Sequence, residues 1–346
     1  MTFTLPSTEI TYAEAIHLAI GKLMSDDDSV LVYGLGVDDI KAMYGTLKGF
    51  PDIFGPDRCF DTPLSEDSLT GYGIGLAISG FKPIHVHQRT DFLLLCCNQL
   101  INMAAKIKYL SNGMNTCPFV VRAITGRSWG QGSQHSQSFH SLFSNIPGLR
   151  VLTPSTPNDV YNTYLNVFAD EIPTVIIEHR MLYKTTGKIK LSGKLPRVSR
   201  ISDGLDITIC SVSHMTLETQ KSVKALANLG ISCDHFSIVD HSDLDLNTIF
   251  ASVQKTGKLM IVDHGWLNSS IATTIHSRLI SMGFVGKVEI LGYAETPCPT
   301  SRILEQLFYP SPNSILQSAV NLLELKDSNL QSLGVSPEIT NFKGPF

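Results

Sequence analysis

Short runs of β-branched and apolar residues alternate with longer stretches in which apolar positions recur at helical spacing, and the alternation runs twice along the chain. In the first half, residues 29–33, 84–87, 119–121, 151–153 and 174–177 read as strands. Residues 12–24, 92–109 and 157–168 read as the helices between them. This order is that of a parallel α/β sheet. A polar stretch, 184–200, rich in lysine, threonine and glycine and without periodicity, reads as a linker. The pattern then restarts, with strands at 207–212, 231–237, 259–262 and 288–291 and helices near 217–229 and 269–282. The expectation is a second, smaller α/β domain of doubly wound type. The weakly charged apolar run 259–280 suits a core or an interface equally. Beyond residue 325 the chain is polar, with Pro and Gly, as an extended or docking tail would be.

Composition narrows the class. With 346 residues, 43% of them hydrophobic and 17% charged, the chain is globular and long enough for two domains. A net charge of −4 and the lack of any basic stripe argue against a nucleic-acid partner. No apolar run is long enough to span a bilayer, so no membrane role is expected. Seven scattered cysteines, without a Cys-x-x-Cys pair, indicate neither a zinc site nor a disulfide framework. They read as buried thiols in a reducing compartment. The N-terminal residues carry neither the basic region of a signal peptide nor the arginines of a transit peptide, and the expected location is cytoplasmic.

Several motifs bear on chemistry. Gly34-Leu35-Gly36 follows a strand but lacks the third glycine of a dinucleotide fingerprint, and Asp38 and Asp39 would repel a pyrophosphate. Gly71 and Gly75 lie one helical turn apart and read as architectural, favouring close packing of a neighbouring helix. His85 and His87 alternate on a strand and share a face. No third ligand at a recognisable spacing accompanies them, so one of the two lining a pocket is the favoured reading and no metal site is assigned. Asp61-Thr62-Pro63-Leu64-Ser65-Glu66 reads as a strand end turning into a helix, with Ser65 as cap and Glu66 in the first turn. A glutamate there is ordinary, since it complements the helix dipole by about 1 kcal/mol or less. It is also placed to hold a proton against the ring nitrogen of a bound heterocycle, with His135 as an acid or base from a second loop. The glycine-rich loop 126–132 leads directly into Gln134-His135-Ser136-Gln137.

Taken together in order, these segments resemble the beta subunit of the thiamine-diphosphate-dependent E1 component of 2-oxoacid dehydrogenases, a transketolase-like family with pyruvate, acetoin and branched-chain members. Further matching pieces are Gly80-Phe81-Lys82-Pro83-Ile84, Gln99-Leu100-Ile101-Asn102, Pro147-Gly148-Leu149-Arg150-Val151, Pro154-Ser155-Thr156-Pro157, Ile177-Glu178-His179, Gly265-Trp266 and Ile303-Leu304-Glu305. The resemblance runs from Ile10 to about Tyr309. It implies a pyrimidine-binding domain over 1–183, a linker over 184–203, a transketolase C-terminal domain over 204–325 and a tail over 326–346.

The resemblance also implies roles. Glu66 would hold the aminopyrimidine of thiamine diphosphate in its imino form, Phe92 would stack on that ring, and His87 would line the pocket. His135 would bind the oxoacid carboxylate or handle a proton after decarboxylation. Family members hold the diphosphate and Mg²⁺ through a Gly-Asp-Gly sequence and paired asparagines, and neither occurs in this chain. Mg²⁺ would then be held by a separate alpha subunit in an alpha2beta2 heterotetramer, with beta–beta self-association through the C-terminal domain. No lipoyl-lysine segment is present, so a lipoyl acyltransferase (E2) core would be separate too.

Two features depart from the family pattern. Leu35-Gly36 stands where members commonly carry an acidic pair that connects the two active sites, and the tail runs past the usual end. Two alternatives accompany the dehydrogenase reading. One is an alpha-beta carboligase acting without lipoamide; the other is a non-catalytic scaffold, against which Glu66, Phe92 and His135 together argue.

Overall fold

The computed structural model describes residues 3–39, 41, 43–127 and 130–325, and the expected tail lies outside them. The chain forms two compact units, one from residues within 1–125 and 142–196, the other from residues within 126–141 and 197–346.

The first unit is built on a six-stranded sheet of β2 (Val30–Gly34), β3 (Cys59–Asp61), β4 (Lys82–His87), β5 (Val120–Thr125), β6 (Arg150–Leu152) and β7 (Thr174–His179). The strands run in the order β3-β2-β4-β5-β7-β6, all parallel. A short antiparallel pair, β1 (Ile10–Thr11) with β8 (Thr186–Gly187), lies apart from that sheet. Strands β5 and β7 are buried along their whole length, which is why they read as continuous apolar runs rather than alternating ones. Helix α1 (Tyr12–Asp26) opens with a capping box between Thr11 and Glu14 and buries Tyr12, Ala15, Ile16, Ala19 and Ile20. It packs on α6 (Pro157–Asn166), itself capped by Thr156. Between them in sequence are α2 (Phe50–Phe54), α3 (Glu66–Ile78), α4 (Ile107–Leu110) and α5 (His140–Ser144).

The single helix expected over 92–109 is broken. The chain runs as tight turns at Thr90–Cys96, a wide turn at Asn98–Met103, a further tight turn at Ala104–Lys106, and only then α4. Tertiary contact overrides local propensity here. A Cβ on Gly148 would lie 2.1 Å from the Ala105 carbonyl oxygen, so two backbones meet where an unbroken helix would stand.

The second unit carries a five-stranded sheet of β9 (Val198–Ser202), β10 (Ile207–Val212), β11 (Cys233–Ile238), β12 (Lys258–Val262) and β13 (Lys287–Leu291), in the order β13-β12-β10-β11-β9. All pairs are parallel except β9 with β11. Strand β9 occupies most of the end of the segment read as linker. Alternate residues feed two cores. Ile207, Ile209, Met260 and Val262 pack with α7 (Met215–Ala227) and α11 (Pro312–Leu323). Cys210, Val212, Leu259 and Ile261 pack with α8 (Leu246–Thr256) and α9 (Ile271–Ser281). Most apolar residues of the run 259–280 therefore belong to the unit's own interior, with Ile280 half exposed. Helix α10 (Arg302–Phe308) precedes α11. No helix among the described residues is long and apolar enough to cross a membrane, and all seven cysteines are free thiols.

Candidate active-site residues

In the first unit the residues of interest gather at the C-terminal ends of β2, β3 and β4, the edge of a parallel sheet where ligands bind. Strand β3 ends at Asp61, whose Oδ1 accepts from the Gly36 N–H at 2.6 Å and the Val37 N–H at 3.2 Å, closing the loop after β2. Gly36 has φ +73°, and a Cβ there would lie 2.9 Å from Gln88 Nε2. A glycine at this position thus has a backbone reason.

After Pro63 the chain enters α3 with Glu66 as its first residue, half-buried. Ser65 occupies the cap position, but its side chain makes no capping hydrogen bond, contrary to expectation. The helix presses on the sheet through Gly73, where a Cβ would lie 2.2 Å from the Tyr33 hydroxyl and 2.5 Å from Phe119. Nothing lies within 4 Å of a Cβ at Gly75, and Gly71 meets only the Gln99 side chain. The close-packing role expected of Gly71 and Gly75 thus falls to the glycine between them.

Strand β4 ends at His87, and the turn after it carries Phe92, which keeps about a third of its surface exposed at 36%. His85 and His87 are both buried, with His87 Nε2 3.2 Å from His85 Nδ1. His85 stacks on Tyr33 with ring centroids 4.6 Å apart and approaches the Thr70 hydroxyl, one turn along α3 from Glu66, at 3.4 Å. Burial lowers the His87 pKa to about 4 and drives that of His85 well down, so both rings are neutral near pH 7. One N–H is then shared between them.

His135 belongs to the second unit, on the segment 126–141. Gly132 (φ +63°) opens a tight turn through Gln134, and a Cβ on it would lie 2.4 Å from Thr300 Oγ1. His135 follows, half-buried. Upstream, Arg127 is buried over the Tyr309 ring at 5.1 Å with a nitrogen 3.4 Å from Glu218. Downstream, Ser138 Oγ lies 2.9 Å from His140 Nδ1, and His140 Nε2 lies 2.8 Å from Asp263 Oδ1. The Ile271 N–H donates to Ser141 Oγ at 3.0 Å. Ser128 and Trp129 lie outside the described residues.

Glu66, His87 and Phe92 thus share one unit, and His135 lies in the other. Asp61 opens the segment singled out from sequence, though no motif marks its role in closing the loop after β2, and His140 and Asp263 carry no motif that would have singled them out. Asp263 is 123 residues from its partner, a separation no local pattern spans.

Residues 8–186 match the family described as transketolase, pyrimidine binding domain, and residues 197–315 match transketolase, C-terminal domain. Fold and matched domains together define a two-domain protein of the transketolase class. A split-gene transketolase, solved as an inactive beta4 tetramer, superposes with a TM-score of 0.75 over 92% of this chain and 99% of that one, at 16% identity, a likeness of fold alone. Among curated relatives, the acetoin:2,6-dichlorophenolindophenol oxidoreductase subunit beta of Cupriavidus necator is 34% identical, covering 88% of this chain and 95% of that one. The mitochondrial pyruvate dehydrogenase E1 component subunit beta-1 of Oryza sativa subsp. japonica is 31% identical, covering 92% and 88%. The chain belongs to the family of 2-oxoacid dehydrogenase E1 beta subunits.

Proposed function

We propose that this chain is the beta half of a thiamine-diphosphate-dependent 2-oxoacid dehydrogenase, decarboxylating a 2-oxoacid and passing the acyl group to lipoamide. One observation carries the reading. A half-buried glutamate opens α3 after β3 at the C-terminal edge of a parallel sheet, and the part-exposed ring of Phe92 stands on the turn that follows β4, on the other side of β2. A carboxylate, an aromatic face and a neutral imidazole make a donor set that fits an aminopyrimidine, which needs a partner for its ring nitrogen and a surface to stack on.

When bound, thiamine diphosphate would supply the nucleophilic carbon and the electron sink that decarboxylation of a 2-oxoacid needs. Glu66 holds a proton against the pyrimidine nitrogen and so favours the tautomer that can accept the C2 proton. Phe92 stacks on the ring and fixes its plane, and His87, at the end of β4, lines the pocket. His135 binds the oxoacid carboxylate and handles a proton once carbon dioxide has left.

Mg²⁺ and the diphosphate are assigned to an alpha subunit, because this chain lacks Gly-Asp-Gly and paired asparagines. An alpha2beta2 assembly, beta–beta pairing and service to a lipoyl acyltransferase core belong to the same reading. The seven free thiols support a reducing, cytoplasmic location. Acetoin is a second substrate candidate beside pyruvate, favoured by the Cupriavidus necator relative.

The test is co-expression with a candidate alpha subunit. The reconstituted pair should release carbon dioxide from a 2-oxoacid, or oxidise acetoin with a dye acceptor, only with thiamine diphosphate and Mg²⁺ present. Isolated beta chain that binds the cofactor tightly by itself in calorimetry would overturn the division of labour. Turnover by the pair that does not depend on the cofactor would overturn the function.

A further inference from the structure

We infer that His140 is a positioning residue for His135, acting with Ser138 and Asp263 to hold the loop that carries it at the end of β12. The inference rests on the reading of His135 given above. Gly130 and Gly132 both have positive φ, and the tight turn at 132–134 is too short to fix its own direction. Buried side chains anchor the loop near both of its ends. Arg127 provides the upstream anchor, buried between Glu218 and the Tyr309 ring.

The downstream anchor is the row Ser138–His140–Asp263. Ser138 is 7% exposed, His140 1% and Asp263 0%, so both contacts lie out of water. Asp263 stands immediately after β12, and its backbone N–H donates to the Leu291 carbonyl at 2.8 Å. The carboxylate is thereby held to the frame of the sheet. Its Oδ1 accepts, so His140 Nε2 carries the hydrogen. In that tautomer Nδ1 accepts, and the Ser138 hydroxyl donates to it. One carboxylate at a strand end thus sets a tautomer, and the tautomer sets the orientation of a residue three positions from His135. A His241 ring packs beside His140 at 5.0 Å, and a Cβ on Gly265 would lie 3.0 Å from His140 Cε1. The imidazole is confined from two sides as well as tied at both ends. A buried carboxylate is costly, and an apolar residue would fill the space at lower cost. Its presence is accounted for by the geometry it imposes.

Two near-isosteric substitutions separate the arms of the row. Gln at 140 puts its amide near the Nε2 position and keeps the bond to Asp263. Asn puts its amide near Nδ1, keeps the bond to Ser138 and releases the loop from the sheet. In the reconstituted enzyme, His140→Asn is expected to lower kcat and raise KM, reducing kcat/KM by about 10- to 100-fold, the scale on which misplacement of a reacting group acts. His140→Gln is expected to recover most of that loss. The double variant His140→Asn/Asp263→Asn removes the unpaired buried charge, and the kcat loss should persist in it when its melting temperature returns toward that of the parent.

Hydrogen exchange on the purified full chain reads the position directly. Residues 132–139 should exchange faster in His140→Asn than in His140→Gln, with β10 and β12 unchanged in both. Equal exchange in the two variants, or kcat restored in the double variant, would overturn the proposal. His135→Ala distinguishes the two levels. If it leaves turnover intact, the role of His135 fails, while the exchange experiment still decides whether His140 holds the loop.

Discussion

Arg122 and Glu178 form an ion pair with no exposed side-chain surface, Nε to Oε1 at 2.8 Å and a second nitrogen to Oε2 at 2.8 Å, across the neighbouring strands β5 and β7. The hydroxyls of Tyr164 and Tyr183 both donate to the same carboxylate. Each carboxylate oxygen accepts two hydrogen bonds, while Arg122 Nη1 is buried without a hydrogen-bond partner, so it is the carboxylate whose charge is well compensated out of water. Arg122→Met should therefore cost about 3–5 kcal/mol, because it leaves a buried carboxylate short of its cation. Arg122→Met/Glu178→Leu should recover a large part of that loss. Urea unfolding of the three proteins checks both statements, and a single variant as stable as the parent would refute them.

Glu66→Gln should leave the fold intact and reduce turnover of the reconstituted enzyme by about 10²- to 10⁴-fold, the usual loss for a positioned acid-base group. Glutamine retains hydrogen-bonding capacity but cannot exchange the proton. His135→Ala should act mainly on substrate saturation if its task is to meet the oxoacid carboxylate. The check is to measure exchange of the cofactor C2 proton separately from decarboxylation in each variant. Exchange at the parental rate in Glu66→Gln would reduce that carboxylate to a helix-dipole partner.

The glycines of α3 should separate cleanly. Gly73→Ala drives a methyl group into the Tyr33 hydroxyl and the Phe119 ring and should cost about 1–3 kcal/mol as overpacking. Gly75→Ala meets nothing within 4 Å and should stabilise the chain by about 0.5–1 kcal/mol through the unfolded state. Thermal unfolding of the two variants beside the parent tests the contrast.

Stability should fall on mild acidification. His87 and His235 are buried with pKa lowered from an ordinary 6.5 to about 4 and about 3, chiefly by desolvation. His85 and His241 are lowered well below theirs, first by burial and then by a neighbouring histidine. Below pH 6.5 the unfolded chain binds protons that the folded chain does not. The contribution is thus fully present above 6.5 and is lost as pH falls toward 4. Each such histidine adds at most about 1.4 kcal/mol per pH unit to the slope. Denaturant midpoints measured from about pH 7 to pH 5 should decline, and less steeply in His235→Gln. A midpoint independent of pH over that interval would contradict the assignment of these rings as neutral.

Much of this was legible before any coordinates. Except for β3 and β9, the strands of both sheets carry apolar runs that mark them, and Pro63 followed by Ser65 and Glu66 marks the start of α3. What escaped the sequence has physical reasons. The segment 90–110 has helical spacing at Leu93, Cys96, Leu100 and Ala104, yet it runs as a series of tight and wide turns, and at Ala105 its backbone meets that of Gly148. Strand β9, Val-Ser-Arg-Ile-Ser, is half-buried at a sheet edge and carries too little apolar character to be distinguished from a connection. Ser65 has the right chemistry for a cap, but its backbone at φ −166° and ψ 67° departs from the usual cap geometry, and its hydroxyl makes no capping bond. His140 and Asp263 are brought together only by the folding of the second unit.

The assignment of residues 126–141 to the second unit, with β5 before them and α6 after them in the first, has a consequence for how the protein can be divided. No single cut in the chain yields two complete pieces. A fragment ending at Pro196 carries off a loop whose anchors, Glu218, Asp263, Ile271 and Thr300, all remain on the other fragment. Each half, made alone, would hold unmatched polar groups and a loop without a floor, whereas the two supplied together could restore one another. The chain is thus threaded as a single cooperative object at the very segment that bears His135, and duplication, splitting or grafting of either unit must respect that thread.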